Sequence, residues 1–473
     1  MNKKYSYLLK NIGILTISNF GSKILSFILI PLYTSILSTE QYGLFDLYTT
    51  TILLLIPILT LDIVQSVMRF SLDQTCDRQA VFKVGMNRIV KSSIIIIIIV
   101  FINYIFNLIP IFNSFPIFFI ALFILECFYS LFSQFARGCE NIRAVAIAGL
   151  INSIIMLLTN ILFLMVFKMG IDGYFFAYIL SYLFSIIYLI FKLKILNIVD
   201  KCRVDKNLKN KMERYSKPLI ISDISWWFNN VSDRYTVTWL CGVASNGIYS
   251  VAYKIPSILN VFQSIFNQAW TISAVKEFDS KNISFFSNIY KVYNCGMVII
   301  CSLLIVINKL IAKILFSNEF FLAWQYSPFL MISVVFGALS GLLGGIFSAS
   351  KNSSSLAKTT FVGALINISL NIFLVYFMGP IGAAISTLIS YFVVWLLRYI
   401  SVKKILNINI KLTKDICAYI ILLIQSSIYF IDVNYIILYL LEILFICIII
   451  VIYARELKFI FNKFLNNIGR KSI

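Results

Sequence analysis

The chain is a succession of apolar stretches, each separated from the next by a short cluster of charged residues, Gly or Pro. The runs fall at 12–37, 42–68, 92–112, 115–136, 144–167, 171–191, 218–241, 246–270, 292–315, 326–349, 359–378, 380–400, 415–431 and 433–454. An α-helix needs roughly 20 apolar residues to cross the hydrocarbon core, so the pattern predicts about fourteen spanning helices. The first run follows Lys3, Lys4 and Lys10, as a signal peptide's would. It is too long for one and lacks a small-residue cleavage site, so it is expected to be the first span. No loop is long enough to form an ordered domain outside the bilayer.

Composition agrees with the pattern. Of 473 residues 60% are hydrophobic and only 13% charged, with a mean hydropathy of +0.91, far from the balance of a soluble domain. The net charge of +20 changes the picture once it is placed along the chain. With the N-terminus inside, only Lys168, Lys309 and Lys313 fall in external loops, against a total of 40 Lys and Arg. This is the positive-inside asymmetry, and it predicts both termini in the cytoplasm of a multi-pass plasma-membrane protein. The charge therefore encodes orientation, and no nucleic-acid partner is needed. The basic segment 192–217, at the chain's midpoint, reads as a linker between two bundles or as a grip on anionic membrane lipids.

There is no histidine, which removes Ser/His/Asp and Cys/His catalysis and any histidine proton relay. The nine cysteines are scattered without a C-x-x-C pair and read as small apolar fillers, so no metal or other resident cofactor is expected.

The chain is also written twice. At one constant offset Ser18, Gly43, Leu44 and Phe45 fall on Ser222, Gly247, Ile248 and Tyr249. At another, Met169-Gly170-Ile171-Asp172-Gly173 falls on Met378-Gly379-Pro380-Ile381-Gly382, and Ser181-Tyr182 on Ser390-Tyr391. Six spans separate the copies, so the repeats share one orientation and are related by an axis along the membrane normal. The expected fold is all-α and polytopic. It has a six-helix lobe at 1–191, the linker 192–217, a parallel six-helix lobe at 218–407, and an additional helix pair with a basic tail at 408–473.

Two stretches carry a family resemblance. Asp233-Arg234-Tyr235, followed by Gly242 and Gly247-Ile248-Tyr249-Ser250-Val251-Ala252-Tyr253-Lys254, resembles the span 7–8 signature of bacterial polysaccharide flippases. Asn367, Asn371 and Met378-Gly379-Pro380-Ile381-Gly382-Ala383-Ala384 resemble their span 11–12 signature. These flippases belong to the multidrug/oligosaccharidyl-lipid/polysaccharide (MOP) exporter superfamily, and the likeness is to Wzx-type O-antigen flippases. It implies a MATE/MOP-like fold and translocation of an undecaprenyl-pyrophosphate-linked oligosaccharide, an O-antigen or capsule repeat unit, from the cytoplasmic to the periplasmic leaflet of the inner membrane. It also implies a polysaccharide polymerase and a chain-length regulator as partners.

Ionisable side chains inside the bilayer cost at least ~2.5–3.5 kcal/mol each and mark function by default. They are Lys23, Asp46, Asp62, Glu126, Asp223, Asp233, Arg234, Lys254 and Glu442. Lys23 lies roughly 16 Å into the first span at 1.5 Å per residue. Together with Arg234 and Lys254 it forms the candidate cationic site for a pyrophosphate headgroup, arginine as a bidentate fork and lysine as a point charge. A purely structural neutralisation by Asp233 or Asp62 is the alternative. Asp62, Asp223, Glu126 and Asp233 are candidates for coupling H⁺ or Na⁺ to transport, with Asp233 also expected to pair locally with Arg234. Asp46 and Glu442 are expected near water at span ends.

Trp226 or Trp227 is a candidate for stacking on a sugar, whereas Trp270 and Trp324 fit an interfacial belt. Asn152, Asn160, Asn367 and Asn371 are expected to hydrogen-bond between helices. Gly337, Gly341 and Gly345 should permit close packing, and Pro31 and Pro57 should loosen spans 1 and 2. Rival readings are a drug or cation antiporter, which the deep cations disfavour, a lipid II flippase with the same physics, and a membrane polysaccharide polymerase or ligase, whose large external loop is missing.

Overall fold

The computed structural model describes residues 21, 23–25, 27–73, 76–195, 206–276, 283–350, 352–406, 408, 412–431, 434–459 and 462. All regular structure among them is helical. Among the described residues nine helices are long and apolar enough to cross a membrane, and the chain divides into two compact units, Met1–Val231 and Ser232–Ile473.

The first unit holds α1 (Ile30–Ile36), α2 (Thr39–Thr60), α3 (Ile63–Ser71), α4 (Arg78–Phe106), α5 (Pro116–Gly138), α6 (Ile142–Asn160) and α7 (Gly170–Leu193), together with most of α8 (Lys206–Cys241). The last residues of α8 belong to the second unit. There they are followed by α9 (Val243–Ala252), α10 (Pro256–Lys276), α11 (Ile283–Val306), α12 (Asn308–Leu315), α13 (Ser327–Ala349), α14 (Ser353–Met378), α15 (Pro380–Lys403), α16 (Leu412–Ile428) and α17 (Tyr435–Ile452).

Two expected spans are broken, and each break has a local cause. The run 42–68 ends as a helix at Thr60, where Leu61 and Asp62 both adopt left-handed backbone, with φ of 54° and 48°. Consecutive left-handed non-glycine residues cost of order 1–3 kcal/mol each and persist only where neighbours hold them. Here the Leu59 carbonyl, freed by the break, accepts from Arg88 Nη2 and Ser92 Oγ of α4, each at 2.8 Å. The run 246–270 is interrupted at Tyr253-Lys254-Ile255 because Pro256 has no N–H to continue the ladder. The Ala252 carbonyl is instead satisfied by Ser327 Oγ at 3.0 Å. In each unit a side chain from a neighbouring helix thus caps a carbonyl that lipid would leave bare.

The other departures concern helix length. Residues 206–217 of the expected linker are helical and continuous with span 7 in the 36-residue α8, while 196–205 lie outside the described residues. Inside the first unit this segment is anchored on α3, with Met212 fully buried and its carbonyl accepting from Ser66 Oγ at 2.7 Å. The last two expected spans are the shorter helices α16 and α17, and the first begins among residues outside the described set.

The internal repeat has a structural counterpart. The hairpins α6–α7 and α14–α15 are each closed by a glycine with positive φ, Gly170 at 55° and Gly379 at 65°. Three residues on, Gly173 and Gly382 let the returning helix touch the one before it. A Cβ at Gly173 would lie 2.9 Å from Phe163 Cβ, and one at Gly382 only 2.2 Å from the Leu374 carbonyl oxygen. Asn152 donates to Ser181 Oγ at 3.3 Å and Asn367 to Ser390 Oγ at 3.1 Å, so both hairpins are pinned by Asn–Ser pairs. Asn160 and Asn371 do otherwise and donate within their own helices, to the Met156 carbonyl and to Asn367 Oδ1.

Trp270 and Trp324 are buried rather than interfacial. The Trp270 indole fits against α13 because Gly345 has no side chain, and it donates to the Leu342 carbonyl at 2.9 Å. A Cβ at Gly345 would lie 2.3 Å from Trp270 Nε1. Gly345→Ala is therefore expected to cost about 1–3 kcal/mol by overpacking. A lowered melting temperature of the detergent-solubilised protein is the readout, and an unchanged one would contradict this packing.

Candidate functional site

The charged residues of the interior divide between the two units. In the second unit the span 7–8 signature folds into one cluster. The Asp233 carboxylate is buried and accepts from Tyr249 OH at 2.7 Å, from Tyr253 OH, and from the Arg234 backbone N–H at 3.0 Å. Spacing explains the pair of tyrosines: residues four apart lie on one helical face, so Tyr249 and Tyr253 reach the same oxygen. The Arg234 guanidinium lies over the Tyr253 ring, 5.2 Å from its centroid. Lys254 follows in the break between α9 and α10 and is half-buried. Of the three predicted cations, Arg234 thus stacks on Tyr253 and Lys254 follows that tyrosine in the chain, while the Tyr249 and Tyr253 hydroxyls hold Asp233.

In the first unit Lys23 is exposed. Asp62 sits at the break between α2 and α3, 3% exposed, with Oδ2 lacking any hydrogen-bond partner among the described residues. Asp223 of α8 lies close enough for its charge to act on Asp62, so the structure brings together these two predicted coupling carboxyls. Glu126 lies apart from them at mid-length of α5, lining a cavity of about 200 Å³ with Thr49, Ile52, Leu53, Leu122, Tyr178 and Tyr182.

The two tryptophans separate by environment. Trp227 is 5% exposed and donates to the Thr50 carbonyl at 2.8 Å, so its indole serves packing inside the first unit. Its neighbour Trp226 is 57% exposed.

Glu442, expected near water, is fully buried and accepts from Gln425 Nε2 at 2.9 Å, while Gln425 accepts from Ser302 Oγ at 2.8 Å. Its place near the end of an apolar run suggested water, but α11 and α16 cover it. Arg88 and Arg398 were not legible as interior groups, because both lie close enough to span ends to count as loop cations. Arg398 is buried and donates to Thr359 Oγ1 at 3.2 Å, Thr360 Oγ1 at 2.8 Å and the Ser340 carbonyl at 2.8 Å.

Interrupted spans with ionisable groups at the interruptions, in a chain of repeated helical hairpins, are the build of a multi-pass membrane protein. A family model described as polysaccharide biosynthesis protein matches residues 8–272. The chain belongs to that family, and its fold is that of the MOP superfamily. It is similar to the lipid II flippase MurJ in an inward closed conformation, with a TM-score of 0.68 and 16% identity over 95% of this chain and 99% of that one. It is also similar to an inward-facing multidrug resistance MATE family transporter of the MOP superfamily, with a TM-score of 0.64 and 13% identity over 81% and 95% of the two chains. A MOP superfamily transporter from Pyrococcus furiosus matches with a TM-score of 0.57 and 15% identity over 83% and 96%. No curated protein matches the sequence.

Proposed function

We propose that the protein flips a polyprenyl-pyrophosphate-linked oligosaccharide from the cytoplasmic to the outer leaflet of the bacterial plasma membrane, with both termini inside. The observation that carries this reading is the pair of cations around Tyr253. Arg234, stacked on Tyr253 from the last turns of α8, offers a fork for pyrophosphate oxygens, and Lys254, in the break between α9 and α10, a point charge. A drug-cation exporter would gain nothing from such a pair. The lipid tail remains in the bilayer while the headgroup passes by alternating access, so the protein needs two states of similar energy and no covalent chemistry.

Coupling falls to Asp62 and Asp223. Asp62, buried with an unsatisfied oxygen, and Asp223, whose charge acts on it, offer carboxylate oxygens to H⁺ or Na⁺ within one unit. Dissipating both ion gradients across proteoliposomes is expected to slow headgroup translocation at least about tenfold, the effect of ~1.4 kcal/mol of lost driving force. A rate that does not change would exclude the coupling role.

A lipid II flippase is the second reading, favoured by the likeness to MurJ over nearly the full length of both chains. Both substrates present the same pyrophosphate, so the cation cluster serves either. Reconstituted protein supplied with fluorescent lipid II or with a lipid-linked O-antigen unit decides: protected label accumulating from the second alone supports the polysaccharide reading, and from the first alone the peptidoglycan one.

A further inference from the structure

The Glu126 cavity takes no part in the pyrophosphate site. It lies wholly within the first unit, between α2, α5 and α7. Thr49, Glu126, Tyr178 and Tyr182 all fall near the middle of their helices, so the cavity is at mid-depth in the bilayer. Among the described residues none hydrogen-bonds the Glu126 carboxyl and no cationic side chain faces it. A carboxylate so placed costs at least ~2.5–3.5 kcal/mol unless a proton or a cationic partner compensates it.

The surroundings restrict which cationic partner fits. At about 200 Å³ the cavity exceeds a bare monovalent ion many times over, yet it is smaller than the ~300–1,000 Å³ of a pocket for a drug-sized ligand. Two of its walls are tyrosine rings, and both are braced from behind. Tyr178 packs against Phe45 at 4.6 Å and edge-on against Tyr174 at 5.3 Å, and Tyr182 packs against Tyr129 at 5.4 Å. Rigid aromatic walls, a threonine hydroxyl and one uncompensated carboxylate make a site for a single saturated ring bearing hydroxyls and a positive charge. In such a site the ring's C–H face would lie on the tyrosines and the ammonium group would donate a charge-assisted hydrogen bond to Glu126.

We infer that this cavity is a subsite for one aminosugar ring with a free, protonated amine. The inference rests on the flippase reading only for the source of that sugar, the carried oligosaccharide. The size, aromatic walls and carboxyl of the site are read from the cavity alone.

The full-length protein in nanodiscs is titrated with methyl 2-amino-2-deoxyglucoside, its N-acetyl counterpart and tetramethylammonium, and binding is read by ligand-observed NMR. The free amine is expected to bind and the neutral N-acetyl sugar to bind at least about tenfold more weakly, since a charge-assisted hydrogen bond contributes ~1.5–3 kcal/mol. Glu126→Gln should erase that preference and Glu126→Asp keep part of it. Leu53→Trp should block all binding from the cavity wall, because Leu53 is exposed and its replacement leaves the core intact. Equal binding of the two sugars, or an unchanged preference in Glu126→Gln, overturns the amine assignment. Tetramethylammonium binding as tightly as the aminoglucoside overturns the sugar assignment. Because the assay involves no translocation, a protein that binds the aminosugar but flips no lipid would count against the flippase reading and leave this inference standing.

Discussion

Cells whose only copy of this protein carries Arg234→Ala or Lys254→Ala are expected to lose surface polysaccharide while the protein still inserts and accumulates. Each side chain contributes charge-assisted contacts of ~1.5–3 kcal/mol to a bound pyrophosphate, equivalent to about 10- to 150-fold in rate when the contact is made during translocation. The fold should survive both changes. Asp233 is held by Tyr249, Tyr253 and the backbone N–H of residue 234, and none of these donors is a cationic side chain. Arg234→Lys separates two roles for the arginine. It keeps the charge over the Tyr253 ring but has no planar fork, so an intermediate loss is expected where bidentate recognition matters and none where charge alone does. Surface polysaccharide is quantified per unit of membrane-inserted protein. Normal amounts from both alanine variants would sink the cationic headgroup site.

The second large effect is on stability. Arg398 joins three helices of the second unit through the Ser340 carbonyl of α13 and the Thr359 and Thr360 hydroxyls of α14. The threonines pass these bonds on to the Ser355 and Leu356 carbonyls of their own helix. Arg398→Ala removes all three contacts and leaves a void beside Gly344, at an expected cost of about 3–5 kcal/mol. Arg398→Lys should recover only part of it, because an ammonium group on a flexible stem does not reproduce three bonds in fixed directions. The check is the melting temperature in detergent together with the amount of protein in the membrane. A melting temperature within a degree of the parent would mean that the guanidinium does not tie these helices together.

How much of this was legible without the structure differs from residue to residue. Gly170 and Gly379 were visible as a repeat because a tight helical hairpin needs left-handed backbone that glycine adopts without strain, and both halves use the same device. Asp233, Arg234 and Lys254 stood out because charge inside an apolar run is costly enough to require a reason. Glu442 was misjudged for the converse cause: depth along a helix was legible, but which neighbours cover that depth was not. The surroundings of Trp227, Trp270 and Trp324 were hidden in the same way, since an indole reads the same in sequence whether it lies at the interface, holds a sugar or packs beneath a glycine.

By itself the sequence determined the solvent and the secondary structure. A bilayer rejects unpaired backbone groups and charge, so hydrophobic length alone dictates helices, and the placing of lysine and arginine predicts their orientation. Only the tertiary structure decided where helices break and which ionisable groups meet. The Leu61-Asp62 break depends on Arg88 and Ser92 reaching Leu59 from another helix, and the Glu126 cavity on three helices leaving a carboxylate without a partner. Those are properties of side chains distant in sequence, and no local pattern of apolar and polar positions contains them.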